Sequence, residues 1–272
     1  MNGVAVKQNT DAFNIGRKVV ADPHWTDTLD LYRSGSLASK PNLSSKAIRL
    51  IDSIAPDQEL KRILEYRTQE LIEYQNLSYA KEYISFVSTV YKKEQNLRSS
   101  SELSQNVAKY LFKLMATKDE YEVARLSLKA ELDSAISQEF GKSAKINYML
   151  HPPFLKAMED IPILNMLPGV KSKLALGSWF KVFYVILKNM KFLRGTPFDF
   201  MAWFSSDVRK ADKKALNHYK TILENNIDEI GNGKYQDLKE FSLLPDIIRG
   251  YEEVRLDTMI EYYQKSDNLF QV

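Results

Sequence analysis

From Leu60 onward, apolar side chains recur at intervals of three and four residues, at Leu60, Ile63, Leu64, Leu71 and Tyr74 and again at Tyr79, Tyr83, Phe86, Val87 and Val90. That spacing puts them on one face of a helix and predicts one or two long amphipathic helices. Pro56 suits the first turn, where its missing N–H would be unpaired anyway, and Asp57 and Glu59 suit the helix dipole. A third helix follows Ser101, with Leu103, Val107, Leu111 and Leu114 on one face. Thr117 and Glu120 have the spacing of a capping box, so a helix restarts there and runs through Ala124, Leu128, Leu132, Ile136 and Phe140 to a cap at Gly141. Lys145 to Leu150 alternates apolar and polar residues before His151-Pro152-Pro153 and reads as a short strand, with Ser172 to Leu176 as its partner. Helical spacing returns from Ser178 to Leu193 and from Ser205 to Ile230, the latter stopped by Gly231 and Gly233. Tyr235 to Leu244 and Pro245 to Lys265 supply the last two helices. The expected fold class is mainly α, a multi-helix domain with one short antiparallel strand pair.

The N-terminal stretch differs. Gly3 to Ala21 has helical spacing at Val4, Ala12, Ile15 and Val19, but from Asp22 the pattern breaks into Pro23, Gly35, Pro41 and many serines. A lone amphipathic helix followed by linker composition reads as the end of a preceding domain. The expected organisation is therefore a terminal helix over 1–21, a linker over 22–43 and a helical domain over 44–272.

Composition removes several function classes. The chain of 272 residues has no cysteine, so disulfides, thiolate zinc sites and conventional iron–sulfur ligation are excluded within it. Its 38 Lys and Arg nearly balance 35 Asp and Glu, and a net charge of +3 gives no argument for nucleic acid. No stretch reaches the ~20 apolar residues needed to span a bilayer, and Lys7, Gln8, Asn9 and Asp11 stand where a secretory signal would be apolar. The expectation is a cytoplasmic protein with neither nucleic acid nor membrane as partner.

Four phrases, in order, carry more than composition. They are NGVAV from Asn2 with Asn9, Ala12-Phe13 and Gly16-Arg17; LFKLMATKDEYEVARL from Leu111; LRGTPFD from Leu193; and LPDIIRGYEEV from Leu244. Together they resemble the C-terminal part of the fused indolepyruvate:ferredoxin oxidoreductases. The first phrase resembles the last helix of that enzyme's γ-type domain, and the others the helical domain that follows, which has no assigned chemistry. The resemblance implies an accessory part of an enzyme that oxidatively decarboxylates aryl 2-oxoacids to acyl-coenzyme A. Thiamine diphosphate, Mg and iron–sulfur clusters are then expected in the complete enzyme and none in this chain. The implied partners are its catalytic domains or subunits and, indirectly, ferredoxin. Met1 stands where the family has an apolar residue inside a continuous helix, which suggests a start within a longer ancestral frame. Arg255 and His151 replace the family's usual Lys and Ala.

Few residues stand out as chemistry. Lys118, Asp119, Glu120 and Glu122 form a charged cluster in which paired carboxylates could act as acid and base, although acidic residues in a first turn also complement the dipole. Arg194-Gly195 and Arg249-Gly250 each place a guanidinium beside a glycine at a helix end. Such a group grips a phosphate or carboxylate, and Arg194 and Arg249 are the cofactor-binding candidates for a ligand such as coenzyme A. The competing role is structural, with the glycines as turns and the arginines capping carbonyls or bridging to a neighbouring domain. His24, His151 and His218 lie too far apart to suggest a metal site. The aromatic stretch from Ser178 to Phe192, with Lys181, Lys188 and Lys191, reads as a central core helix in preference to a membrane-surface one. No phosphate loop, dinucleotide fingerprint or Gly-Asp-Gly is present.

Overall fold

The computed structural model describes residues 6–21, 41–97, 100–141, 147–150, 174–199, 201–202 and 206–270. The chain divides into two units, Met1–Pro41 and Asn42–Val272. In the first, α1 spans Val6–Ala21, with Phe13 and Val20 exposed. Most of the expected linker, His24 and His151 lie outside the described residues.

In the second unit local capping decides where each helix begins. Ser44 Oγ accepts the Ala47 N–H and starts α2, Ser45–Asp52. Asp57 rather than Pro56 opens α3, Gln58–Tyr74, because its carboxylate accepts both the Glu59 and Leu60 N–H groups at 3.0 Å. Pro56 thus lies before the helix, not in its first turn. The long periodic run is two helices: Asn76 Oδ1 accepts the Tyr79 N–H near the start of α4, Leu77–Leu97.

The next cap comes from outside its own helix. α5, Glu102–Met115, has no side-chain cap from Ser101. Its Leu103 and Ser104 N–H groups instead donate at 3.0 and 2.9 Å to Glu94 of α4, a fully buried carboxylate that also accepts from Ser104 Oγ and from Tyr235 Oη at 2.8 Å. A helix N-terminus and two hydroxyls replace the water this buried carboxyl group has lost.

Past α5 the expected continuous helix is two. Asp119, in extended conformation, caps α6, Glu120–Ser127, by accepting the Glu122 N–H at 2.9 Å. The capping box expected from Thr117 and Glu120 is not formed, and Thr117 hydrogen-bonds Tyr74. After a break at Leu128-Lys129, α7 spans Ala130–Phe140 and ends at Gly141, whose φ is 84°. Tyr148–Leu150 (β1) pairs antiparallel with Leu174–Leu176 (β2), Tyr148 opposite Leu176. This three-residue ladder adds no sheet layer, and the fold is mainly α. A 3₁₀ turn over Ser178–Phe180, α8 over Lys181–Asn189 and a 3₁₀ turn over Met190–Leu193 follow as one rod.

The long helix α9, Ser206–Asn226, continues as a 3₁₀ turn to Asn232 and stops at Gly233, where φ is 97°. α10 spans Tyr235–Leu243. Pro245 sits in a 3₁₀ turn, Leu244–Ile247, rather than in the last helix, and α11 starts only at Glu252 and runs to Phe270. Gly250 (φ 85°) makes the corner between them, and a Cβ there would lie 2.6 Å from Val254. Among the described residues no helix is long and apolar enough to cross a membrane.

Buried side chains form two clusters. The main core joins α2–α5 to α9–α11, with Tyr83 Oη donating to Ala108 O and Tyr219 Oη to Ser242 O. The smaller one holds Tyr121 and Ala124 of α6 and Tyr184 and Leu187 of α8, with Tyr148 of β1 against it. The expected central core helix is thus not central. α8 buries Tyr184 and Leu187, while Trp179, Val182 and Phe183 before and within it are 67, 67 and 41% exposed.

Two outcomes test this account. Glu94→Ala orphans buried donors and is expected to cost about 3 kcal/mol, or roughly 6–12 °C in Tm. An unchanged melting curve would show that the buried cap contributes nothing. His218 of α9 bonds Ser266 of α11 at 2.9 Å among the rings of Phe241, Tyr262 and Tyr263. Burial pushes its imidazole pKa below the ordinary 6.5 and Lys214 adds to the effect, with Asp267 opposing. The unfolded chain therefore takes up the proton first, and this group's contribution is constant above pH ~6.5 and destabilising as pH falls below it. Replacing His218 with Gln should flatten the dependence of Tm on pH between about 7 and 5.

Candidate functional site

The two arginine-glycine phrases have different fates, and the difference starts with local backbone. After the 3₁₀ turn ending at Leu193, Gly195 adopts φ 76°, and Thr196 donates from its N–H and its hydroxyl to Leu193 O at 2.9 and 2.7 Å. Asp199, 1% exposed, closes the turn by accepting the Gly195 N–H at 3.0 Å and the Ala202 N–H at 3.3 Å. The RGTPFD phrase is thus a self-bonded loop that aims Arg194 inward.

Arg194 reaches the point where one helix ends and another begins. Its guanidinium donates to Tyr74 O at 2.6 Å and Gln75 Oε1 at 2.8 Å, at the end of α3, and through two nitrogens to the carboxylate of Asp119, the cap of α6. It also lies over the Tyr74 ring, 3.7 Å from the centroid. Lys191, one turn earlier, donates to Ile72 O and Glu73 O. With Leu71 O accepting the Gln75 N–H, all four terminal carbonyls of α3 are satisfied, two by Lys191 of the α8 rod and one by Arg194 just after it. Burial works to lower the Arg194 pKa, but Asp119 and Tyr74 outweigh it and the guanidinium stays charged.

A second arginine completes this layer. Arg209 of α9 donates to Asp199 at 2.8 Å and to Glu120, and Tyr121 Oη donates to Asp199 at 2.8 Å. Burial and then Asp199 push the Tyr121 phenol pKa up, so it acts as a donor and not as a base. A third, Arg125 of α6, is 5% exposed and bonds Glu122 through two nitrogens at 2.8 Å, together with Glu70 and Glu73 of α3. Glu70 also accepts from Lys129 at 2.7 Å. Burial would raise the Glu70 pKa, yet the hydrogen bonds from Lys129 and Arg125 hold it below the usual carboxylate range.

The charged cluster read at 118–122 is thereby resolved. Lys118 is exposed, while Asp119, Glu120 and Glu122 bond three different arginines, 194, 209 and 125. Each of these carboxylates is engaged by a guanidinium, so the cluster is ion pairing at the start of a helix and not a carboxylate pair set up for acid–base work. Cations and carboxylates nearly balance across the network, so it sets up no field for an anionic ligand.

Arg249 is not part of this network. Its side chain is 70% exposed and folds back on Asp246, donating to the backbone carbonyl at 2.8 Å and to the carboxylate. The His218–Ser266 pair has the hydrogen bond of a nucleophile and base, but Ser266 is 1% exposed and His218 lies among aromatic rings, so the hydroxyl is closed to a substrate. No group of three or more His, Cys, Asp or Glu able to hold a metal occurs among the described residues.

Sequence reasoning missed Arg209, Glu70, Glu73 and Glu94. Nothing in their local spacing marks them, because each is defined by a partner far away in the chain, Glu120 in the case of Arg209 and Arg125 in the cases of Glu70 and Glu73.

Comparison with known proteins adds one result. The profile of a family of unknown function, DUF6537, matches residues 60–267. The chain belongs to that family. The DUF6537 match takes in the phrases at 111–126, 193–199 and 244–254, and with them the whole arginine–carboxylate network. No curated protein and no solved structure matches the chain.

The two arginine candidates should separate cleanly under substitution. Arg194→Ala leaves the buried Asp119 carboxylate with only Arg209, 4.0 Å away, as a cationic partner and is expected to lose about 3–5 kcal/mol in urea unfolding, with Arg194→Lys restoring only part because an ammonium cannot span the same acceptors. Arg249→Ala is expected to stay within ~0.5 kcal/mol of the parent. Equal effects at both positions would refute the assignment of Arg194 to the frame.

Proposed function

We propose that this DUF6537 chain is a C-terminal accessory part of an indolepyruvate:ferredoxin oxidoreductase-type enzyme, structural in role and not catalytic alone. The observation that carries the reading is that the phrases LFKLMATKDEYEVARL and LRGTPFD, on which the likeness rests, bond to each other. Asp119 takes Arg194, and Tyr121 takes Asp199. The shared residues build a joint between helices, as an accessory domain requires, and leave no side chain poised as nucleophile or base.

On this reading thiamine diphosphate, Mg and the iron–sulfur clusters belong to other domains, consistent with a chain that has no cysteine. Its partners are the catalytic domains or subunits, with ferredoxin engaged indirectly, in the cytoplasm. Any contact with coenzyme A or a neighbouring domain falls to Arg249, whose guanidinium faces solvent, and not to Arg194. The second reading, a stand-alone helical interaction module, is favoured by the uncharged apolar face that α8 turns outward.

Native co-purification of the tagged chain from its own cells, with mass spectrometry and an iron assay, tests both. The accessory reading expects recovery with a cysteine-bearing, iron-containing oxidoreductase. Recovery without iron or such a partner would overturn it and leave the interaction module.

A further inference from the structure

Around the rod of α8 and its flanking 3₁₀ turns, Lys181, Lys188 and Lys191 share one narrow stripe and most of the remaining circumference is apolar, more than a single core-facing side requires. Here only one side is covered. Tyr184 and Leu187 enter the small core, whereas Trp179, Val182, Phe183, Val185, Ile186 and Phe192 are 67, 67, 41, 47, 53 and 68% exposed. At 3.6 residues per turn these six fall on one contiguous face, about half the circumference of the rod.

That face carries no charge. The polar residue within it, Asn189, folds back to donate to Val185 O at 2.9 Å, a bond internal to the helix. Lys181 lies at the edge and is tied to Asp133 of α7 at 2.8 Å, and Lys191 points the other way, into the end of α3. Between Gly177 and Phe198 there is no Asp or Glu. A helix built for an anionic membrane surface would direct its lysines outward along the apolar border; of Lys181, Lys188 and Lys191 the first and last are held by the protein itself, and Lys188 is the exposed cation beside the face.

From these exposures and full side-chain areas of ~150–250 Å², the face presents on the order of 700 Å². That exceeds the few hundred Å² a monomer usually exposes, and it approaches the ~800 Å² per partner of a standard stable interface. An uncharged apolar stripe is complementary to itself, and a two-fold axis through it places α8 against α8 with no like charges opposed.

We propose that this face is a self-association surface, covered by the same face of a second copy of the chain. The inference is independent of the enzyme reading, because it concerns the chain alone.

The lack of cysteine makes the test direct, since one introduced thiol is the only thiol. Purified chain is followed by light scattering over roughly a hundredfold concentration range, and the expected mass is twice that of the chain. Ile186→Asp should weaken association by roughly a hundredfold or more while leaving the circular dichroism unchanged. Ile186→Cys, which keeps an apolar side chain should the aspartate perturb folding, should give a disulfide-linked dimer under mild oxidation, and Ile260→Cys, exposed on α11, should not. A monomer at every concentration, association unaffected by Ile186→Asp, or equal cross-linking of both thiols would each overturn the proposal. So would a monomer that floats with phosphatidylcholine vesicles, which would identify the face as a lipid contact.

Discussion

Wherever one helix ends against the start of another, four carbonyls and four N–H groups are left without partners, and no amount of apolar packing satisfies them. The end of α3 and the start of α6 meet in this way, and Arg194 resolves both at once. Its guanidinium takes a terminal carbonyl of α3 and holds the Asp119 carboxylate that caps α6. The rest follows from this. Lys191 takes the neighbouring carbonyls, Arg125 ties α6 to Glu70 and Glu73 on the flank of α3, and Arg209 brings in α9 through Glu120 and Asp199.

Buried ion pairs of this kind contribute less to net stability than to uniqueness, because desolvation consumes much of their Coulomb attraction. What they do here is define position. An apolar contact tolerates sliding by a fraction of a turn, whereas a bidentate arginine–carboxylate pair has one geometry. Arg194 and Arg125, each bidentate on one carboxylate, and Arg209, which spans Glu120 and Asp199, fix the direction of α6 relative to α3 and α9, and so fix where α8 presents its outer face. Glu94 has the same effect on the other side of the main core, where a carboxylate from α4 sets the starting point of α5.

What the sequence made legible, and what it hid, divides along the same line. Periodicity at Leu60, Ile63, Leu64 and Leu71, or at Leu103, Val107 and Leu111, reports a neighbour three or four residues away, and those helices and their buried faces were readable. Caps were readable less well. Asp57 displaced Pro56 by one residue and Asp119 displaced Thr117 by two, because each carboxylate accepts the free N–H groups of the turn that follows it. Partners distant in sequence were invisible: Arg209 and Glu120 are 89 residues apart, Arg125 and Glu70 55. The aromatic run from Trp179 to Phe192 misled for a related reason. Apolar content says that a helix wants burial, not whether its own chain supplies it, and burial of Tyr184 and Leu187 alone satisfies half of α8.

The division into a large core and a small one has a further consequence. The small cluster rests on four buried residues and is joined to the rest by polar bonds, so its α6–α8 pair has little apolar area resisting opening. Amide exchange should register it as a separate cooperative unit, opening below the free energy that unfolds α4 and α9. A domain arranged this way can loosen one end while its main core stays intact, and the end that loosens is the one carrying Trp179 and Ile186.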